Sequence, residues 1–475
     1  MSHVIVEHRG TDRCATPLGR YDDVRALTEL LAAPLSPEDQ VVQSMPDVSP
    51  TKWHRGHTTW FFETFILETR LPGYVPFDRS FPYIFNSYYE SLGDRHPRSQ
   101  RGLISRPGTE VVTAYRRHVD QAMARLLDVR SAFDAPSAGP SSSPDHARPG
   151  DTDLDLSALL ELGLNHEQQH QELIVMDIKH VLWSNPALPV YTPAVARSGN
   201  SASAPGPQPG WIEHPGGMVE IGHGGGGFAF DNEQPRHERY LAPFAICDRP
   251  VTCGDWLEFM DDGGYSRPEL WLSDGWATIQ EHRWSSPLYW CNTAPSGTPD
   301  WRIFTLGGLR DIDPDEPVCH VSYFEADAFA HWATARLPTE VEWESVAGEP
   351  PPGSGLLDRG VLHPRPVRAG DPRFFGDVWE WTQSAYSAYP GFKVAPGAVG
   401  EYNGKFMVNQ YVLRGGSCAT PPGHVRATYR NFFPAGARWP FTGLRLARDL
   451  DTVVRPDPSG MSRSAPEGSP DRGPR

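Results

Sequence analysis

Cysteine is scarce in this chain of 475 residues, which has six cysteines and no Cys-x-x-Cys pair. So few cysteines for this length outline no disulfide framework. The first residues carry charges of both signs without an apolar core, so they do not have the pattern of a secretory signal peptide. No run of about 18 apolar residues occurs, which argues against a membrane-spanning helix. We therefore expect a cytoplasmic protein.

Extended basic runs are also missing. Lys and Arg total 43 against 59 Asp and Glu, which gives a formal net charge of −16. This balance argues against nucleic acid or an anionic membrane as the main partner.

Proline and glycine, by contrast, are abundant. The 48 Pro and 45 Gly make up about a fifth of the chain, against a typical share of roughly 12%. Residues 131–153, 184–210 and 450–475 are rich in Pro and Ser, and we interpret them as a mobile loop, a linker and a disordered tail. They separate a helical domain at 20–183 from a second domain at 211–449.

The first domain has the periodicity of a helical bundle, with apolar residues recurring at helical spacing. The predicted helices cover 22–33, a segment starting at Ser49-Pro50, 109–130 and 155–182. Ser49 and Pro50 have the residue types of an N-cap and a first helical position. The second domain has glycine clusters, short apolar stretches and one predicted helix at 322–335. The fold class is therefore α+β.

The sharpest local motif is His166-Glu167-Gln168-Gln169-His170. Histidines four residues apart lie on one helix face, where both rings can reach one metal. The spelling also matches the zinc peptidase motif, in which the glutamate is the general base. His57 lies on the aromatic face of the second predicted helix and is the best candidate for a third ligand, because bundles build metal sites from facing helices. Three imidazoles suit Fe(II) or Zn, and the pattern does not choose between them.

A polar loop carries a second candidate group. Tyr88 and Tyr89 are phenols that can give a proton or an electron near a metal. Arg95, Arg98 and Arg101 follow them, and planar guanidinium groups match carboxylates. The pattern indicates a carboxylate-binding loop, although a surface loop with solvated arginines would look the same.

Several longer stretches carry a family resemblance. They are RLPTEVEWE (336–344), GDVWEW (376–381), RGGS (414–417), FTGLRLARD (441–449), KWHRGHTTWFFETF (52–65) and NHEQQHQE (165–172). The first four resemble the formylglycine-generating-enzyme/sulfatase-modifying-factor domain, a variant of the C-type lectin fold. The last two resemble a DinB-like four-helix bundle. A bundle followed by a lectin-like domain resembles the EgtB family of ergothioneine biosynthesis, the hercynine sulfoxide synthases.

This resemblance implies an Fe(II)- and O2-dependent enzyme. Such an enzyme joins a thiol sulfur to C2 of the imidazole ring of hercynine (Nα-trimethylhistidine) and oxidises that sulfur to a sulfoxide. The resemblance places the iron ligands at His57, His166 and His170, and a substrate-side glutamine at Gln169. The partners it implies are the small molecules hercynine, cysteine and O2, and it leaves the oligomeric state open.

The resemblance also bears on the amino-acid substrate. Asn431 matches an asparagine that helps to hold the trimethylated amino acid. The quaternary ammonium group cannot donate hydrogen bonds and is attracted to aromatic rings. Phe432 and Phe433 are suitable neighbours for it.

The identity of the thiol follows from two features. Tyr88 and Tyr89 match the tyrosine pair of the branch that uses free cysteine, whereas Tyr386 and Tyr389 fall where the γ-glutamylcysteine branch carries its active-site tyrosines. That second branch typically has Trp-Asp at the positions of Phe432 and Phe433. We therefore expect cysteine, with γ-glutamylcysteine as the alternative.

Four other classes are alternatives. A zinc hydrolase would use Glu167 as its base, and a non-enzymatic lectin-like binding protein would not need His57. A formylglycine-generating oxidase is disfavoured because Cys319 and Cys418 show no obvious paired arrangement. An ovothiol-type synthase is disfavoured because no methyltransferase segment follows the two domains.

Overall fold

The computed structural model describes residues 16–131, 154–193, 209–351, 355–358, 360–368, 372–394, 400 and 403–450. The predicted mobile loop at 131–153 and tail at 450–475 therefore lie almost wholly outside the described residues. The middle of the predicted linker at 184–210 lies outside them too.

Helices make up the first domain. Within the described ranges they are α1 (Pro17–Ala32), α2 (Thr51–Phe62), α3 (Glu68–Arg70), α4 (Phe81–Phe85), α5 (Thr109–Ser131) and α6 (Leu156–Ser184). The side chains of Thr16 and Asp155 cap α1 and α6, because each accepts a hydrogen bond from a backbone N–H three residues later. α2 packs against α5 and α6, and α1 packs against α6. The four long helices therefore form the predicted bundle.

The start of α2 corrects the prediction for Ser49. α2 begins at Thr51, and no side chain caps it. The backbone N–H of Ser49 instead donates to Asp177 Oδ2 (2.8 Å), and its hydroxyl accepts from Arg101 Nη1 (2.9 Å). Ser49 has the residue type of an N-cap, but its backbone N–H and its hydroxyl are hydrogen-bonded to residues far along the chain.

α2 runs directly into a π-helical turn at Glu63–Leu67, which the periodicity did not predict. The Glu63 carboxylate is buried and accepts a hydrogen bond from the hydroxyl of Tyr115 at 2.5 Å. Within the same turn, the ring of Phe65 packs against Tyr89, with centroids 5.2 Å apart. Single π-turns are frequent at functional sites, and this one lies beneath the predicted tyrosine pair.

Short strands and helices make up the second domain. The described strands are β1 (Trp211–His214), β2 (Gly217–Ile221), β3 (His237–Leu241), β4 (Phe244–Cys247), β5 (Trp290–Asn292), β6 (Trp301–Thr305), β7 (Gly308–Asp311), β8 (Trp379–Ala385), β9 (Tyr411–Arg414), β10 (Asn431–Phe433), β11 (Thr442–Leu444) and β12 (Ala447–Asp449). The described helices are α7 (Cys253–Asp261), α8 (Ser273–His282), α9 (Tyr323–Trp332) and α10 (Glu340–Ala347). The largest sheet has the order β10-β9-β8-β11, with β11 parallel to β8. Capping boxes at Thr252, Ser322 and Thr339 set the starts of α7, α9 and α10.

α6 belongs to both domains. Its first half faces α2, and its second half places Ile178 in one buried apolar cluster with Phe441 of the second domain. Glu172, also on α6, accepts hydrogen bonds from Trp379 Nε1 (2.6 Å) and Ser417 Oγ (2.7 Å). All three of these residues are buried, and a buried carboxylate needs such donors. Apolar packing and a buried polar contact therefore join the two domains.

Two expectations from the residue content can be compared with the structure. Within the described ranges, no helix has both the length and the apolar character that a membrane span requires. The five cysteines in those ranges are free. Cys14 lies outside them.

Candidate metal centre

Three histidines meet where α2 faces α6. His57 comes from α2, and His166 and His170 come from successive turns of α6. Their exposed fractions are 0%, 2% and 7%, and one possible ligand atom from each lies within 4.8 Å of the others. Close approach of the helices is possible because Gly163 has no side chain, since a Cβ there would stand 2.6 Å from the ring of Phe62. The structure thus brings together the three residues predicted as ligands.

Burial favours the neutral, metal-binding form of these imidazoles. It lowers the pKa of His166 to about 4. The pKa of His57 lies well below its ordinary value, first because of burial and then because of the neighbouring His166. His57 Nδ1 donates to the carbonyl oxygen of Phe85 (2.5 Å). The lone pair of His57 is therefore on Nε2, which faces His166.

The spacing of the donor atoms fits a shared cation. His57 Nε2 and His166 Nε2 are 3.2 Å apart. Two imidazoles bound at about 2.0–2.1 Å, with an angle of about 90–110° at the metal, would have nitrogen atoms roughly 2.9–3.4 Å apart. The observed separation lies within this range, so His57 and His166 can share one metal, and the ligand atom of His170 lies within 4.8 Å of both. This spacing suits octahedral and tetrahedral metals alike.

Glu167 is turned towards α1 and α5. Its carboxylate accepts hydrogen bonds from Arg25 Nη1 and Arg116 Nη2, both at 2.9 Å, and from Thr28 Oγ1 at 2.7 Å. Burial alone would raise its pKa, but the two guanidinium groups outweigh burial and lower the pKa to about 2. A zinc hydrolase of this motif needs the glutamate as a base at the metal-bound water. The geometry therefore argues against that alternative.

The two predicted tyrosines have different surroundings. Tyr89 is 2% exposed, and its ring centroid is 5.7 Å from Trp60, which stacks on His57 at 5.6 Å. Tyr88 is partly exposed and meets Phe406 of the second domain edge to face at 5.5 Å. Tyr89 thus lies one ring away from a predicted ligand, and Tyr88 lies at the domain boundary.

The three predicted arginines also differ. Arg95 pairs with Glu90 at 2.6 Å near the surface, and Arg98 is exposed. Arg101 is 3% exposed, with its guanidinium carbon 3.3 Å from the centre of the Trp53 ring. Burial, reinforced by the charge of Arg98, holds the pKa of Arg101 well below its ordinary value. Among the residues that the structure describes, no carboxylate forms an ion pair with Arg101, so it is a buried cation suited to an external anion.

Predicted substrate residues lie along the contact between the domains. Gln169, next to His170 on α6, donates from Nε2 to the hydroxyl oxygen of Tyr429 (2.6 Å). Asn431 begins β10, and its side-chain oxygen accepts from the backbone N–H of Phe432 (2.9 Å). The ring of Phe432 is 6.0 Å from Phe406, which contacts Tyr88 as described above.

Two further predicted residues are engaged inside the second domain. Phe433 packs edge to face on Trp439 at 5.6 Å, since neighbouring residues of a strand point to opposite faces. Tyr386 is 2% exposed, stacks on Phe432 at 4.0 Å and accepts at its hydroxyl from Asn232 Nδ2 (2.9 Å). Both rings therefore pack against residues of the second domain.

Sequence reasoning missed the role of two polar residues beside the triad. His54 Nδ1 is 2.8 Å from His170 Nδ1, and His54 Nε2 is 3.0 Å from Asp177 Oδ2. His54 stands one helical turn before His57, and Asp177 stands two turns after His170 on the same helical stripe. From the sequence, these spacings indicate only that each residue lies on the same helix face as a predicted ligand. Whether His54 contacts His170 and Asp177 depends on how α2 crosses α6.

Known proteins match both domains. Residues 198–355 and 365–450 match the sulfatase-modifying factor enzyme 1-like domain, and residues 20–174 match the DinB superfamily. A hercynine oxygenase of Mycolicibacterium smegmatis is 35% identical over 61% of this chain and 71% of that protein. The chain belongs to the hercynine oxygenase family.

Two other relatives match a smaller share of their own length. A hercynine oxygenase of Mycolicibacterium thermoresistibile is 38% identical over 49% of this chain and 57% of that protein. Ergothioneine biosynthesis protein 1 of Schizosaccharomyces pombe is 28% identical over 47% of this chain and 28% of that protein. The chain thus spans a little over half of one bacterial relative. Membership in the family confirms the predicted pairing of a DinB-like bundle with a formylglycine-generating-enzyme-like domain.

Proposed function

We propose that this protein is an iron-dependent hercynine oxygenase of ergothioneine biosynthesis that uses free cysteine. Hercynine, cysteine and O2 give hercynylcysteine sulfoxide and water. The imidazole C2–H and the thiol S–H bonds are replaced by a C–S bond, one oxygen atom goes to sulfur, and the other leaves as water. The observation that carries the proposal is the buried histidine triad in a chain of the hercynine oxygenase family.

The triad would hold Fe(II) through His57, His166 and His170. Fe(II) bound there would supply the redox chemistry with O2, since three imidazole ligands leave coordination positions for small molecules. The chain's own part is to keep these imidazoles neutral and to exclude water, and their burial does both.

Tyr89 is the stronger candidate for the proton-donating phenol. It is buried against Trp60, which stacks on His57, so its hydroxyl is carried by a ring held close to the metal ligands. A phenol can hand a proton to a nearby oxygen atom and so steer the reaction away from plain oxidation of the thiol. Tyr88 would complete the wall of the site against Phe406.

Arg101 would bind the carboxylate of cysteine. Its Nη atoms donate to the hydroxyls of Ser49 (2.9 Å) and Ser87 (3.0 Å), which fix the plane of the guanidinium group. Arg98, close by and exposed, would strengthen the local positive potential, whereas Arg95 is already paired with Glu90. A buried Arg–carboxylate pair is charge-assisted and strong.

Hercynine would lie on the side of the second domain. Its quaternary ammonium group is attracted to aromatic faces, and Phe432 with its neighbour Phe406 offers them. Asn431 and Gln169 would supply amide groups to the rest of the molecule, and Tyr429 fixes the orientation of the Gln169 amide.

The test is anaerobic reconstitution with Fe(II), followed by O2, hercynine and cysteine, with products identified by mass spectrometry. We expect the sulfoxide, and we expect His57→Ala to lose both bound iron and product. His282→Ala is the matched control, because His282 is an exposed residue at the end of α8. Full iron binding and product formation in His57→Ala would overturn the proposed metal centre, whereas a wild-type protein that forms no product would favour the lectin-like alternative.

A further inference from the structure

We propose that His54 and Asp177 are positioning residues that orient the metal ligand His170 through two buried hydrogen bonds. The inference rests on the proposed metal centre and adds two residues to it. A carboxylate, a bridging histidine and a ligand histidine would act as one unit.

With Asp177 ionised and His54 neutral, the two hydrogen bonds of His54 can run in only one direction. An ionised Asp177 can only accept, so the proton on the facing nitrogen belongs to His54 Nε2 (3.0 Å). A neutral His54 then carries a lone pair on Nδ1. The short contact from His54 Nδ1 to His170 Nδ1 (2.8 Å) therefore requires the proton to be on His170. This arrangement leaves the lone pair of His170 on Nε2, the atom available to a metal.

The same direction holds for His57, which donates from Nδ1 to the Phe85 carbonyl and keeps its lone pair on Nε2. Metal-bound histidines usually donate their second N–H to a carboxylate or a carbonyl, which fixes the tautomer and the ring plane. The second N–H of His57 donates to a carbonyl. The second N–H of His170 donates to His54, which in turn donates to the carboxylate of Asp177.

The surroundings hold this unit in place. His54 and Asp177 are 2% and 3% exposed, so water does not compete for their hydrogen bonds. Asp177 Oδ2 also accepts from the backbone N–H of Ser49 (2.8 Å), and the Ser49 hydroxyl accepts from Arg101 Nη1 (2.9 Å). The frame around His170 is therefore hydrogen-bonded to the arginine assigned to the cysteine carboxylate.

Binding of Co(II) to the metal-free protein, without substrates, tests the unit independently of turnover. We expect Asp177→Asn and His54→Phe to weaken Co(II) binding ten- to hundredfold and to alter the visible absorption of bound Co(II), because His170 loses its fixed orientation. His180→Phe is the matched control. His180 is a histidine on the same helix whose Nδ1 contacts Ser44 Oγ (2.7 Å), and we expect wild-type affinity.

The outcomes separate this inference from the proposed function. Wild-type affinity and spectrum in both folded variants would overturn the positioning role while leaving the triad intact. If His54→Phe does not fold, the nearly isosteric Asp177→Asn decides by the same measurement. Co(II) binding that survives His57→Ala would instead refute the metal centre itself.

Discussion

Glu167 shows how one residue of a familiar motif can serve the fold instead of the chemistry. Its carboxylate is fully buried between Arg25 and Arg116. The pKa of Glu167 is lowered to about 2, so its ionised form stabilises the fold. Removing one partner of a buried ion pair typically costs about 3–5 kcal/mol.

Glu167→Gln should therefore lower the free energy of unfolding by about 3 kcal/mol at neutral pH while keeping metal affinity. Because the folded pKa lies below the unfolded one, the wild-type advantage is complete above about pH 5 and is lost as the pH falls towards about 2. Denaturant unfolding of both proteins across this range measures it. A variant of unchanged stability that loses metal would instead show that Glu167 supports the metal site.

The tyrosines make a second prediction at the residue scale. Tyr89→Phe keeps the ring against Trp60 and removes only the hydroxyl, so metal affinity should stay within about twofold. Its products should shift from sulfoxide towards oxidised cysteine such as the sulfinic acid, because the nearby proton donor is gone. Mass spectrometry of the product ratio measures the shift, with Tyr240→Phe as the control, because Tyr240 is an exposed residue of β3. An unchanged ratio in Tyr89→Phe, Tyr88→Phe and the double variant would contradict this role and make Tyr386 the next candidate for the proton donor.

Among the elements, the long helices were the most predictable from sequence. The predicted 109–130 and 155–182 are close to Thr109–Ser131 and Leu156–Ser184, because amphipathic periodicity is a local signal. Histidines at i and i+4 share a helix face whatever surrounds them. The π-turn and the true role of Ser49 were not predictable, because they depend on partners more than 50 residues away.

The crossing of α2 and α6 can be tested at Gly163. Alanine would gain about 1 kcal/mol of helix propensity, but its Cβ would lie 2.6 Å from the buried ring of Phe62. Overpacking of this kind typically costs 1–3 kcal/mol, so we expect a net loss of stability and several-fold weaker Co(II) binding as His57 and His166 move apart. Gly226→Ala is the control, since a Cβ there meets nothing within 4 Å. Wild-type stability and affinity in Gly163→Ala would show that the helices separate without disturbing the site.

At the scale of the whole molecule, the two domains supply different parts of the proposed site. The bundle supplies the histidines, Tyr89 and the buried Arg101, and the second domain supplies Asn431 and Phe432. Lys405 of the second domain donates to the backbone carbonyl of Tyr88, so the tyrosine segment is held from both sides. We therefore expect the choice of thiol to depend on the charged and polar side chains that each domain places around it.

Cysteine presents one carboxylate beside its amine, and Arg101 can bind it. The γ-glutamyl extension would bring a second carboxylate and amine, and burying these without partners is costly. Phe432 and Phe433 offer no charge to them. We therefore expect a higher kcat/KM for cysteine than for γ-glutamylcysteine in parallel assays.

Arg101→Met tests the contact itself, because it removes the cation and keeps much of the packing on Trp53. Loss of a charge-assisted bond of about 1.5–3 kcal/mol should raise the KM for cysteine by roughly one to two orders of magnitude, with the KM for hercynine unchanged. Arg95→Met is the control, since its partner is the exposed Glu90. An unaltered cysteine requirement in Arg101→Met, or a preference for γ-glutamylcysteine in the wild type, would place the thiol-binding determinant elsewhere between the two domains.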